Sequence, residues 1–105
     1  MASFKFEKIS TFTNTVRVMR PDGVEQEFKA SFVYLDDEAW TKIGAEPTGD
    51  FLRKHWTGWE DIVGADDKPM PFSEAQRDQL LAHSYITQAV LASYIAGRQG
   101  QRAKN

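Results

Sequence analysis

A tight turn between two alternating segments is the feature that most constrains the fold of this chain. The turn is Arg20-Pro21-Asp22-Gly23, in which proline presets its φ angle and glycine accepts the positive φ that closes a hairpin. In the resulting register Val16 faces Phe28, and Arg17 faces Glu27 as an opposite-charge cross-strand pair. The same register places these apolar side chains on one face: Val16, Val18, Phe28, Ala30, Phe32 and Tyr34. The sequence therefore predicts an antiparallel hairpin with one buried face.

The segment before the hairpin also alternates. Phe4 and Phe6 point to one side of residues 3–9, while Lys5 and Glu7 point to the other. Period two is typical of a half-buried strand. We expect this strand to complete a three-stranded antiparallel sheet, with a turn over residues 10–14.

Helix signals follow the hairpin. Asp36 is placed to cap a helix with an acidic first turn, and Gly44 is a typical stop. Thr48 is the expected cap of a second helix, which Gly58 ends or bends. Its apolar side is Phe51, Leu52, His55, Trp56 and Trp59.

The second half of the chain predicts two further helices. Pro69-Met70-Pro71 forces an extended path, and Ser73 with Gln76 forms a capping box for a helix of about 10 residues. Ile62-Val63 is a candidate short edge strand. The last helix is expected over 85–96, and its apolar arc is wider than one small sheet can cover. That surplus indicates either deep burial or contact with another chain.

Together these signals predict an α+β fold, with a small N-terminal antiparallel sheet of about three strands packed with four short helices. We expect a single domain over residues 1–97 and a flexible polar tail over 98–105, which carries Arg98, Arg102 and Lys104.

Composition narrows the classes of function. A formal charge of −2 and a pI near 5.6 argue against a nucleic-acid-binding protein, although the basic tail leaves a weak contact open. The chain has no cysteine, which excludes thiolate metal sites and cysteine nucleophiles. No apolar run approaches the roughly 20 residues of a membrane helix, and no signal-peptide core begins the sequence. We expect a protein that stays where it is made and needs no cofactor.

The two histidines are the candidate metal-binding or catalytic residues. His55 and His83 lie 28 residues apart without the spacing of a zinc site, which favours surface or helix-end histidines. His55 could also serve as an acid or base beside Asp50 or Glu60, but no nucleophile or oxyanion-hole motif accompanies it.

An acidic turn lies between the second and third predicted helices. Asp61, Asp66 and Asp67 lack the ligand spacing, central glycine and closing glutamate of a calcium loop. We interpret them as a solvated turn.

Three tryptophans are the other notable residues. Core packing is the expected role of Trp40 and Trp56. Trp59, beside a glycine and acidic residues, fits either the core or a partner-binding anchor.

The segment from Trp59 onward carries a resemblance to a known family. Trp59-Glu60-Asp61-Ile62-Val63, followed by Asp66-Asp67-Lys68-Pro69-Met70-Pro71-Phe72-Ser73-Glu74, resembles the tail assembly chaperones of long-tailed bacteriophages and prophages. The helix over 85–94, with its alanines and tyrosines, is also similar. The resemblance covers about residues 28–96. This chain departs from the family where Asp67-Lys68 replaces a frequent glycine and where Met70 separates the prolines.

The resemblance implies a non-catalytic, cytoplasmic protein that is absent from the mature virion. Such chaperones bind the tape-measure protein until tail-tube subunits polymerise around it, and they commonly self-associate. The residues expected to contact partners are Trp59, Phe72, Tyr85, Val90, Leu91, Tyr94 and Ile95. Two alternatives remain open: a small structural or adaptor protein retained in the particle, and an enzyme that uses His55.

Overall fold

The computed structural model describes residues 3–101 and has the α+β architecture that the sequence predicts. A three-stranded antiparallel sheet, in the order β1-β2-β3, carries helices against one of its faces. The elements are β1 (Thr11–Met19), β2 (Glu25–Val33), α1 (Asp37–Ile43), α2 (Thr48–His55), β3 (Trp56–Glu60), α3 (Glu74–Leu80) and α4 (Ser84–Arg98).

The predicted hairpin and its register are confirmed. Val16 pairs with Phe28 and Arg17 with Glu27, whose side chains form an ion pair with Nε 3.8 Å from Oε2. The Arg20 amide donates to the Val24 carbonyl at 2.9 Å, which closes the turn. Burial alternates along both strands, so the side chains in phase with Val16 face the core and the others face solvent.

The predicted first strand is wrong. Residues 3–10 form no strand, and Phe4 and Phe6 are 88% and 78% exposed. The expected turn over 10–14 is instead the start of β1, where threonines favour an extended backbone. Residues 3–10 are all exposed, so the segment leaves the domain as an N-terminal arm.

The third strand comes from the segment predicted as the end of the second helix. Helix α2 stops at His55, and Trp56 continues as β3 beside β2. Trp56 is fully buried and stacks on Phe28 with ring centroids 5.9 Å apart. Pairing with β2 and burial of this indole outweigh the helical spacing of its apolar neighbours, since helical preference per residue is small.

The predicted starts of α1 and α3 are confirmed, but two other predictions are wrong. Asp36 accepts a hydrogen bond from the Ala39 amide at 2.9 Å, and Ser73 accepts one from Gln76 at 3.1 Å. Gly44 ends α1 with a φ of 60°.

Thr48 is the first residue of α2, and Pro47 occupies the cap position without a side-chain hydrogen bond. Helix α3 has 7 residues and is shorter than predicted. Ile62-Val63 forms only an isolated bridge, in which Val63 pairs with Pro69.

Helix α4 covers the outer strand of the sheet. The Asn14 side chain donates to the Ser93 carbonyl at 3.1 Å, and the Ser93 hydroxyl donates to the Thr15 carbonyl at 2.8 Å. Val90 and Tyr94 face the sheet with no exposed surface. The helix therefore closes the core against β1.

The end of α4 differs from the prediction. Arg98, which was assigned to a flexible tail, is the last residue of the helix, and its side chain is 8% exposed. It pairs with the Asp37 carboxylate and donates to the Leu35 carbonyl. Residues 99–101 of the predicted tail fold onto the end of the helix, where the Gln101 amide donates to the Ala96 carbonyl at 2.8 Å. Residues 102–105 lie outside the described part of the chain.

Candidate partner-binding site

The structure separates the predicted partner-binding residues into four groups. Val90 and Tyr94 are buried in the core, where the Tyr94 hydroxyl donates to the Val33 carbonyl at 2.9 Å. Their burial leaves them no surface for a partner. Two half-buried members of the set, Leu91 and Ile95, lie on the flank of α4 that faces α1 and α2.

Trp59 and Phe72 pack against each other. Their ring centroids are 4.9 Å apart, and the Trp59 indole N–H donates to the Met70 carbonyl at 2.7 Å. Trp59 also contacts Trp56, at 5.4 Å between centroids. Both rings are half-buried, so they attach the proline-rich loop to the sheet and keep one edge accessible.

A groove between α1, α2 and α4 is the most site-like of the surfaces that contain predicted residues. We call it the α1–α4 groove; it has a volume of about 390 Å³. Its main lining residues are Trp40, Ile43, Glu46, Phe51, Leu91 and Ile95. The Trp40 ring is fixed by Tyr94, on which it stacks at 5.7 Å, and by Phe51, which it meets edge-on at 5.5 Å. The apolar wall is therefore preformed.

One polar atom in this groove lacks a partner. Glu46 Oε1 is buried and has no hydrogen-bond partner among the described residues. The other carboxylate oxygen, Oε2, lies 2.5 Å from Lys54 Nζ, and this bond raises the pKa of the Lys54 ammonium. Buried oxygens without a donor are uncommon in native proteins. The Glu46 side chain as a whole is 20% exposed, so it contributes one acidic group to the lining of the groove.

Sequence reasoning missed Glu46. The residue precedes Pro47, and the pair signals only a break between two helices. Its burial depends on how α1 and α2 meet, which no local pattern encodes.

A second, larger groove lies at the turn end of the sheet. We call it the turn-end groove; it has a volume of about 740 Å³. Its apolar wall is formed by Val18, Phe28, Ile62, Val63, Leu80, Tyr85 and Ile86. Its rim carries Asp61 and Asp67, neither of which forms an ion pair with any described residue, together with Glu27 and Arg20. Tyr85, predicted as a partner contact, lies in this groove.

The candidate chemical residues are held in structural contacts. His55 Nδ1 lies 2.8 Å from the Phe51 carbonyl, and its ring stacks on Phe51 at 4.4 Å. The Asp50 carboxylate accepts from Arg53 at 2.8 Å. Within residues 3–101, no three His, Asp or Glu side chains converge to hold a metal ion.

The acidic turn is ordered by its own backbone. The Asp66 carboxylate accepts from the Lys68 amide at 3.1 Å, and Gly64 and Lys68 are joined by a backbone hydrogen bond of 2.9 Å. Asp61 and Asp67 both adopt a positive φ. The three carboxylates therefore lie on the surface of a tight loop.

Comparison with protein-family models, with curated proteins and with solved structures found no match. Over the described part of the chain, no helix combines the length and apolar character needed to cross a bilayer.

Proposed function

We propose that this protein is a tail assembly chaperone of a long-tailed bacteriophage or prophage. In this role it binds the tape-measure protein without catalysis and promotes tail-tube assembly in the host cytoplasm, and it does not remain in the mature virion. It also self-associates. The resemblance over Trp59–Glu74 supports the family, and the α1–α4 groove is the surface that we propose for client binding.

The observation that carries the proposal is the combination of apolar walls with one partly exposed carboxylate, that of Glu46. An amphipathic helix presents apolar side chains at positions i, i+3 and i+4, which fit a groove lined by Leu91, Ile95 and Trp40. A lysine or arginine side chain beside those anchors would be attracted by the negative charge of the Glu46 carboxylate, whose side chain is 20% exposed. A helical client with apolar and basic residues on one side satisfies both requirements.

The groove also explains why only part of α4 is available to a client. Leu91 and Ile95 lie one turn apart, on the side of the helix that turns away from the buried Val90 and Tyr94. The wide apolar arc therefore serves two purposes, with one flank closing the core and the other forming the groove.

Co-expression with the tape-measure protein of the same locus tests this proposal. We expect the client to become soluble and to co-purify with the wild-type chain. Leu91→Gln should abolish co-purification, because it places an amide in the apolar wall, and Glu46→Gln should weaken it by removing the anionic acceptor. Val24→Asp is the matched control, because Val24 is 45% exposed and lies on the hairpin outside both grooves.

Two outcomes would count against the chaperone role. A client that stays insoluble and does not co-purify with the wild-type chain contradicts it directly. Detection of this chain in purified virions by mass spectrometry would favour the adaptor alternative. For the enzyme alternative, His55→Ala should leave function unchanged if the proposal is correct.

A further inference from the structure

The N-terminal arm, residues 3–10, carries large apolar side chains that are exposed to solvent. Phe4 and Phe6 are 88% and 78% exposed, and Ile9 is 60% exposed. Single exposed apolar residues are ordinary, but two neighbouring phenylalanines on one extended segment mark an interaction site.

The arm keeps the phase of the strand that follows it. The Ser10 carbonyl accepts a hydrogen bond from the Tyr34 amide at 2.9 Å, so the ladder of β1 extends to Ser10. Even-numbered residues of β1 face the core, and Phe4 and Phe6 share that phase if the arm continues extended. An arm that continues β1 in this way presents both aromatic side chains on one side.

The turn-end groove offers the complementary surface. Its wall is apolar, and the unpaired carboxylates of Asp61 and Asp67 lie on its rim. The arm carries Lys5, Glu7 and Lys8, a net charge of +1, and Lys8 follows the two phenylalanines in the same phase. The arm and the rim of the groove therefore carry opposite charges.

The arm cannot fill the groove of its own chain. It leaves β1 at the end opposite the hairpin turn, whereas the sheet residues of the groove begin at Phe28, which pairs with Val16. From Thr11 to Val16 the strand spans about 16 Å. A reversal at Thr11 uses about four of the seven residues that separate it from Phe4, and the remaining three reach only about 10 Å.

We propose that the arm of one copy of this chain docks in the turn-end groove of a second copy. Phe4 and Phe6 enter the apolar wall, and Lys8 meets the acidic rim. Reciprocal exchange closes a two-fold dimer, in which each copy donates one arm and accepts one. This arrangement deepens the self-association in the proposed function, but it makes no use of the α1–α4 groove.

Sedimentation of the purified full chain tests the dimer. We expect a dimer for the wild type. The arm variant Phe4→Ala/Phe6→Ala and the groove variant Val63→Asp should each raise the dimer dissociation constant on the order of 100-fold or more. Val24→Asp is the matched control: Val24 is 45% exposed, close to the 52% of Val63, and lies on the hairpin outside the groove, so the dimer should persist.

Mixing provides a second test. The arm variant retains an intact groove, and Val63→Asp retains an intact arm. An equimolar mixture should therefore form a heterodimer, whereas each variant alone should be monomeric. A wild-type monomer, or a dimer unaffected by both variants, would overturn the proposal.

The absence of native cysteine permits a direct measurement of contact. A nitroxide on Ser3→Cys in one copy should broaden the amide signals of Ile62, Val63 and Ile86 in an isotope-labelled second copy. Broadening only when label and isotope share one chain would show intramolecular docking and overturn the proposal. Because these measurements contain no client, their failure leaves the client-binding test unaffected, and Leu91→Gln should leave the dimer intact.

Discussion

The guanidinium of Arg98 lies over the indole of Trp40, with Cζ 5.0 Å from the ring centroid. Its Nε donates to the Leu35 carbonyl at 3.0 Å, and an Nη group pairs with the Asp37 carboxylate. The last residue of α4 thus holds the first turn of α1, and with it the Trp40 wall of the α1–α4 groove.

We call the contacts of Arg98 with Trp40, Leu35 and Asp37 the clamp, and its removal should destabilise the domain. Arg98→Ala should lower the free energy of unfolding by about 1–3 kcal/mol, because it removes a cation–π contact and a charged hydrogen bond. Arg98→Lys should recover only part of that loss, since lysine lacks the planar fork. Urea denaturation measures both, with Asp37→Asn as a milder control because that carboxylate is almost fully exposed. Equal midpoints for all variants would contradict the clamp.

The Tyr94 hydroxyl should make stability sensitive to alkaline pH. Burial raises the pKa of Tyr94 from 10.0 to about 12. As pH rises, the unfolded chain therefore loses the hydroxyl proton before the folded chain does. The contribution of the neutral Tyr94 hydroxyl to stability is complete below pH 10 and is lost as pH rises toward 12. The expected loss is about 2–3 kcal/mol.

Tyr94→Phe separates this titration from the other tyrosines. At neutral pH the variant should lose about 1 kcal/mol with the hydrogen bond to Val33. Between pH 10 and 12 its denaturant midpoint should fall less steeply than that of the wild type. Parallel pH profiles would show that Tyr94 does not control the alkaline limit.

Two glycine substitutions should have opposite effects. A Cβ on Gly97 would lie 2.5 Å from Phe12 Cε2 and 3.3 Å from the Asn14 Cβ, so Gly97→Ala should cost about 1–3 kcal/mol through displacement of α4. A Cβ on Gly49 would meet only the Arg53 guanidinium, at 3.5 Å, and Gly49→Ala should gain up to about 1 kcal/mol. Thermal denaturation compares the two, and a gain for Gly97→Ala would show that the close packing is absent.

The Ser73 cap should stabilise α3. Ser73→Ala removes the acceptor of the Gln76 amide and should cost about 1 kcal/mol. Ser84→Ala is the control, because Ser84 begins α4 without capping it, and its effect should stay within about 0.5 kcal/mol. Chemical denaturation of both variants measures the difference, and equal losses would argue against a specific cap.

The features that were predicted correctly depend on residues that lie close together in the sequence. The hairpin register follows from Pro21, Gly23 and strict alternation, and the caps follow from Asp36 and Ser73, whose partners lie three residues away. Each of these features needs only a short stretch of chain, which is why the sequence sufficed.

The errors share a physical origin. Alternation at Phe4 and Phe6 indicates that a segment can be a strand, but not which strand it pairs with. Trp56 has helical neighbours and becomes a strand residue because β2 offers an open edge. The buried oxygen of Glu46 likewise depends on three helices meeting, so neither groove could be derived from sequence periodicity.

The bonds between β1 and α4 have a consequence for synthesis of the protein. The contacts of Asn14 and Thr15 with Ser93 join residues 79 and 78 positions apart. At ordinary translation rates about 4 to 16 s separate the emergence of the two elements. During that interval the apolar face of the hairpin has no covering helix, and the nascent chain depends on the ribosome and cellular chaperones to avoid aggregation. Slower translation through 85–98 should therefore lower the soluble yield of this protein more than the same delay before β1.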